Sequence, residues 1–248
     1  MGYYTKQNRK RKILGHKIKS LPNQKCTAKK ITEIFSNSFL VGKRCFLLAG
    51  GPSLKGFNYS VLKNEFTIGI NKTFTVFSPN INYSMDLKFY NYISKPGNEQ
   101  EQKKIHAQWL DYTGYKVFLC PKKSYNFEDN LYVVDRIDER VLSFDLTKGI
   151  YGGNNSGFGA LMLAISLGSK VIYLLGYDFK MSGDSTHWHS GYWNQNSTSY
   201  DRKLFRFKQL FDEFASHIKD LGIEIVNLNV DSELNCFSKS SINEVLKS

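Results

Sequence analysis

Two histidines, His187 and His189, stand on either side of Trp188 in the stretch SGDSTHWHSGYW, residues 182–193, a few positions after the acid Asp178. An imidazole titrates near neutral pH, so either ring can act as a general base that takes a proton from a hydroxyl. In an extended loop the HxH spacing sends both rings to one side, which also suits a metal shared with Asp178, with no third soft ligand close by in sequence. The third reading makes both histidines ordinary loop residues. The residues alone leave all three open.

A phosphorylated ligand needs hydrogen-bond donors, and two stretches offer them. In KRCFLLAGGPSLKG, residues 43–56, a short apolar run is stopped by Gly50, Gly51 and Pro52. The glycines let the backbone turn sharply and approach a ligand, Pro52 presets the φ of a first helical turn, and Ser53 brings a hydroxyl beside free amides. A plain strand-to-turn connection reads the same way, because the motif is neither GxGxxG nor a Walker loop. Downstream, Gly152, Gly153, Asn154, Asn155 and Ser156 form a polar loop before a helix expected over about 157–167. Asn154 or Ser156 can cap that helix, and the N–H groups at its start, around Gly157, favour an anion. Asn71 and Asp86 close two expected strands. Asn71 can read a base or ribose, or cap the next segment; Asp86 can hold a metal or sugar hydroxyl, or serve as an N-cap.

These groups meet only if strands bring them to one edge. Apolar runs predict strands over 45–49, 65–70, 81–85, 115–119, 131–134, 171–175 and 223–228, with helices over 31–40, 157–167 and 202–218 and a closing helix near the C-terminus. The residues 88–108 read as a surface helix plus loop, and the charged run DRIDER, 135–140, as solvated surface. The pattern is α/β, a mostly parallel sheet with helices on both faces in a single domain, and such sheets bind ligands outside the carboxyl ends of their strands.

The 248 residues carry no linker that would divide them, and a 41% hydrophobic share is enough for one core. Charge is unevenly placed. Ten bases and no acid fall in the first thirty residues, while the remaining 24 bases nearly balance the 22 acids. The expected organisation is therefore a basic arm, 1–30, on a domain, 31–248. Such an arm suits a polyanionic partner, and Tyr3 and Tyr4 beside the bases favour nucleic acid, whose bases stack on aromatic rings. Cys26, Cys45, Cys120 and Cys236 lie far apart without a CxxC, so reduced structural thiols are expected. No run approaches a membrane span and the N-terminus lacks the apolar core of a signal peptide, so the expected location is cytoplasmic.

GGPSLKGFNYSVLKNEFTIGINKTF (50–74), GNNSGFGALMLAISLGSKVIYLLGYDF (153–179) and the His-bearing loop after them resemble a superfamily with two branches. One holds bacterial lipooligosaccharide sialyltransferases and flagellin-glycosylating motility-associated factors; the other holds archaeal 6-hydroxymethylpterin pyrophosphokinase-like proteins. The resemblance implies a Rossmann-like, nucleotide-binding sheet. On the first branch it implies that Gly51, Pro52, Ser53 and Asn71 hold the nucleotide, that Ser156 lies at its phosphate, and that His187 or His189 is the base. This chain has Gly50 or Gly51 where those sialyltransferases have Asn, and its spacing from GYDF to HWH is nearer the second branch. The expected activity is a glycosyltransferase that moves a sugar from a nucleotide-sugar donor to a hydroxyl, on a polyanionic acceptor such as modified DNA. Two alternatives remain: Mg²⁺-dependent phosphoryl transfer from ATP, with Asp86 and Asp178 as metal ligands, and a non-catalytic nucleotide- or nucleic-acid-binding module.

Overall fold

The structure, a computed structural model, describes residues 26–181, 187–189 and 197–247. Its strands are β1 (Lys29–Lys30), β2 (Arg44–Leu48), β3 (Phe66–Ile70), β4 (Ile81–Ser84), β5 (Tyr115–Leu119), β6 (Leu131–Val134), β7 (Arg136–Ile137), β8 (Ile150–Tyr151), β9 (Val171–Leu175), β10 (Glu224–Asn227) and β11 (Ser238–Lys239). Nine of them form one sheet in the order β1-β6-β5-β4-β3-β2-β9-β10-β11, and β7 pairs with β8 separately. Every pairing is parallel. The chain steps outward from β2 to β6, then returns to the other side of β2 with β9. The order therefore reverses between β2 and β9, whose last paired residues are Leu48 and Leu175. This is a Rossmann-like α/β fold, and that reversal is where an open sheet of this kind leaves a crevice.

Helices cover both faces because successive strand residues point to opposite sides. In β2, Cys45 and Leu47 enter one core while Phe46 and Leu48 enter another; in β9, Ile172 and Leu174 oppose Tyr173 and Leu175. The first core takes α3 (Ser156–Ser166) through Phe158, Leu161 and Ile165, and α4 (Ser197–Asp220) through Leu210, Phe211, Phe214 and Ile218. The opposite face receives α1 (Leu87–Ile93) and α2 (Gln100–Asp111) through Phe89, Ile93, Ile105 and Trp109, and the short α5 (Ile242–Val245) beneath β2 and β9. Burial of each such side chain contributes about 1.5–3 kcal/mol, which fixes the layers.

Three expectations change. Residues 31–40 do not form a helix: a single 3₁₀ turn, Ile31–Glu33, gives way to turns around Ser36, Asn37 and Ser38, residue types whose side chains compete for the backbone. Ile31 and Phe35 are nonetheless buried, and Ile34 and Phe39 pack against the same core partly buried, so their spacing reflected packing rather than helicity. The domain begins before residue 31, since Lys29 and Lys30 pair with Tyr132 and Val133 and Cys26 bridges to Tyr125. Residues 1–25 of the basic arm lie outside the described residues. The third change is in 88–108, where two helices stand in place of one. No helix among the described residues is long and apolar enough to cross a membrane.

Candidate active site

A cleft of about 600 Å³ opens at the carboxyl edge, at the β2/β9 reversal. Gly50, Gly51 and Pro52 line it after β2, Asn71 after β3, Asp86 after β4, Asn154, Asn155, Ser156 and Gly157 at the start of α3, Asp178 after β9, and His187 and His189 beyond. Segments more than a hundred residues apart thus meet in one space. Ser53 is the single expected site residue outside its lining.

The diglycine turn is held differently from a phosphate cradle. Gly51 N–H donates to Gly176 O (2.8 Å), Pro52 has no N–H, and Ser53 N–H donates to Asp178 Oδ2 (2.7 Å). The Ser53 hydroxyl donates to Asp178 Oδ1 (2.6 Å), and Asn229 Nδ2 donates to the same oxygen (2.9 Å). Asp178 is 4% exposed, and both its carboxylate oxygens are occupied in clamping this turn. The Ser53 amide and hydroxyl are therefore both turned to Asp178, and Asp178 holds the loop. A Cβ on Gly51 would lie 2.4 Å from Gly176 O and 2.6 Å from the Asp178 carboxylate, so the clamp closes only on glycine.

N–H donors of the kind an anion takes stand instead at the start of α3. Asn155, rather than Asn154 or Ser156, is its N-cap, with Oδ1 accepting from Phe158 N–H (2.9 Å). The Ser156 and Gly157 N–H groups belong to the first turn, which no carbonyl one turn earlier serves, and they carry the positive end of the helix dipole. Tyr177 fixes this turn to β9 by donating from its hydroxyl to Gly157 O (2.9 Å).

Asn71, Asn154 and Phe179 have φ values of 52°, 55° and 53°, and among the described residues they are the non-glycine positions with positive φ. All three line the cleft. Such backbone costs of order 1 kcal/mol per residue and persists where surroundings enforce it. For Asn71 those surroundings are two side chains of β4: Asn82 Nδ2 donates to Asn71 O (3.0 Å), and Ser84 Oγ donates to Asn71 Oδ1 (2.8 Å). Asp86 caps α1, with Oδ1 accepting from Lys88 N–H (2.8 Å).

Trp188 anchors the histidines. Its N–H donates to Gly50 O (3.0 Å), its Nε1 donates to Ala49 O (3.3 Å), and it packs against the core cluster that holds Phe46 and Leu48. The flanking rings of His187 and His189 then lie near-parallel, with centroids 5.4 Å apart. Burial, with the nearby charges of His189 and Lys72, pushes His187 from 6.5 down to about 4, so it is neutral at pH 7.

Four bases that sequence reasoning left out of the site line the cleft: Lys122, Arg136, Lys180 and Lys203. Arg136 comes from the DRIDER run assigned to solvent; its Nε donates to Cys120 O (3.0 Å), which holds the guanidinium in place. Its position two residues beyond β6 was the available signal, since ligands gather at strand ends. Lys203 comes from α4, the helix expected over 202–218. The lining is cationic on balance, with Asp86 and Asp178 as its acids.

Asp86 and Asp178 do not fit a shared Mg²⁺. Asp178 has both oxygens in hydrogen bonds and Asp86 uses Oδ1 on a helix, and no group of three His, Cys, Asp or Glu residues suited to a metal occurs among the described residues. No family model, curated protein or solved structure matches this chain, so the functional reading stands on the geometry of the cleft.

Proposed function

We propose that the chain is a nucleotide-dependent transferase that takes a nucleotide-sugar into the cleft and moves the sugar to an acceptor hydroxyl. The observation that carries this reading is the convergence on one cationic cleft of the α3 N-terminus and a histidine pair, at the sheet's reversal point. The α3 amides, with Arg136 and Lys180, bind the phosphate and stabilise the charge it gains when its bond to the sugar breaks. His189 takes the acceptor proton as the acceptor oxygen attacks. His187, held near 4 against Gly50, acts as a neutral hydrogen-bonding group.

The test is nucleotide release from a panel of nucleotide-sugars, with and without EDTA. His189→Ala is expected to slow turnover by roughly 10²–10⁴-fold, the usual contribution of a general base, and chelation to leave it unchanged. Equal turnover in His187→Ala, His189→Ala and the natural chain would remove the base from this loop. Loss on chelation would transfer support to a metal-dependent reaction.

A further inference from the structure

Two thiols meet near one border of the sheet. Cys26 forms an isolated parallel bridge with Tyr125 and packs, half-buried, against the aromatic cluster of Tyr90, Phe118 and Phe127 that also holds the buried Cys120. Burial, and after it a hydrogen bond and charge shared with Cys26, push the Cys120 thiol up to about 12, so the two side chains stand within each other's reach. Cys45 and Cys236 belong to the other core, around α3. Cys120 is firmly placed: its N–H donates to Val134 O (2.8 Å), its carbonyl accepts from Arg136 Nε (3.0 Å), and Pro121 and Lys122, which follow it, line the cleft. Cys26 is held by less. It leads into β1, which has two residues and ends the strand order. The ion pair of Lys30 with Asp135 adds little there, because both side chains are more than a third exposed.

We propose that Cys26 and Cys120 form a reversible disulfide that ties the chain ahead of β1 to the end of β5, beside the cleft. The oxidant is oxidised glutathione. Cys26, the more accessible thiol, attacks one glutathione sulfur as a thiolate; the other glutathione leaves as a thiolate and takes up the proton that Cys26 lost. The Cys120 sulfur then attacks Cys26 Sγ, the bond to glutathione breaks, and the second glutathione departs with the Cys120 proton. Two protein thiols lose two electrons, and one glutathione disulfide becomes two thiols. The order follows from burial, since Cys120, closed to water, is a poor first nucleophile and serves as the resolving thiol. The two residues lie 94 positions apart, so the bond removes much freedom from the unfolded chain and the oxidised form is the more stable. This inference does not use the transferase reading. Its assay holds no nucleotide, so each can fail without the other.

The experiment equilibrates the full chain in mixtures of oxidised and reduced glutathione, quenches with acid, alkylates the remaining thiols in denaturant, and reads intact mass and a non-reducing peptide map. Oxidising mixtures should yield a chain with two fewer alkylated cysteines and a linked Cys26–Cys120 peptide, both reversed by dithiothreitol. The melting temperature should rise by about 5–10 °C on oxidation, as a disulfide closing a long loop does in a domain of this size. Cys26→Ser, a change at a half-buried position, should fold and lose that rise. Cys236→Ser should keep it. A map without the Cys26–Cys120 peptide, a link to another cysteine or another chain, glutathione retained on Cys26, or an unchanged melting temperature on oxidation of the natural chain would overturn the proposal.

Discussion

The imidazole of His187 occupies the space that a side chain at Gly50 would need: a Cβ there would stand 2.6 Å from His187 Cδ2. At Gly51 the neighbours are instead a backbone carbonyl and a buried carboxylate. The two adjacent glycines should therefore fail differently. Gly50→Ala displaces a loop side chain, so the protein should fold with near-natural stability and lose turnover. Gly51→Ala collides with groups that cannot move away, and should cost several kcal/mol, as overpacking does at about 1–3 kcal/mol or more. Urea denaturation alongside nucleotide release separates the two outcomes.

The low pKa of His187 makes stability depend on pH. Its folded value, about 4, lies below the ordinary 6.5, so between those values the unfolded chain holds a proton that the folded chain lacks. Stability should therefore fall as pH drops from about 6.5 towards 4. Urea midpoints at pH 7 and pH 5 measure the loss, and His187→Asn should shrink it. A bound phosphate attracts the proton and raises this pKa, so nucleotide affinity should increase over the same fall in pH and flatten in His187→Asn.

Asp178 joins three donors from two other segments. Asp178→Ala strands the Ser53 amide and hydroxyl and the Asn229 amide, at a cost of about 2–4 kcal/mol. Ser53→Ala removes one bond and should cost about 1 kcal/mol. Chemical denaturation compares them, and equal losses would contradict the clamp.

Arg136 is predicted to meet the phosphate. Arg136→Ala should weaken nucleotide binding about tenfold, or ~1.4 kcal/mol, in line with a charge-assisted hydrogen bond. Arg136→Lys keeps the charge but has no Nε to donate to Cys120 O, and should recover only part of the loss. Calorimetric titration of both variants checks this.

The parallel sheet was legible in the sequence because its strands are short, mostly apolar runs: Tyr115–Leu119, Leu131–Val134 and Val171–Leu175 begin and end as expected. The convergence of Gly50, Asn71, Ser156 and His187 on one edge follows from that sheet once its strands are parallel. What remained hidden depends on partners distant in sequence. Nothing near Ser53 indicates that a carboxylate 125 residues away takes its donors, and a glycine turn reads alike whether it cradles a phosphate or is clamped shut. Arg136 and Lys203 were concealed by charged neighbours that do face solvent. At 31–40, apolar spacing imitated a helix because turns bury the same side chains.

The most direct test of the cleft as a nucleotide site is a thermal-denaturation panel of nucleotides and nucleotide-sugars on the full chain. A ligand at a hundred times its dissociation constant stabilises the folded state by about 2.7 kcal/mol. The account predicts a clear rise in melting temperature for nucleotides of one base, reduced in Arg136→Ala. A panel in which no nucleotide raises the melting temperature, or in which Arg136→Ala gives the same rise as the natural chain, would contradict it.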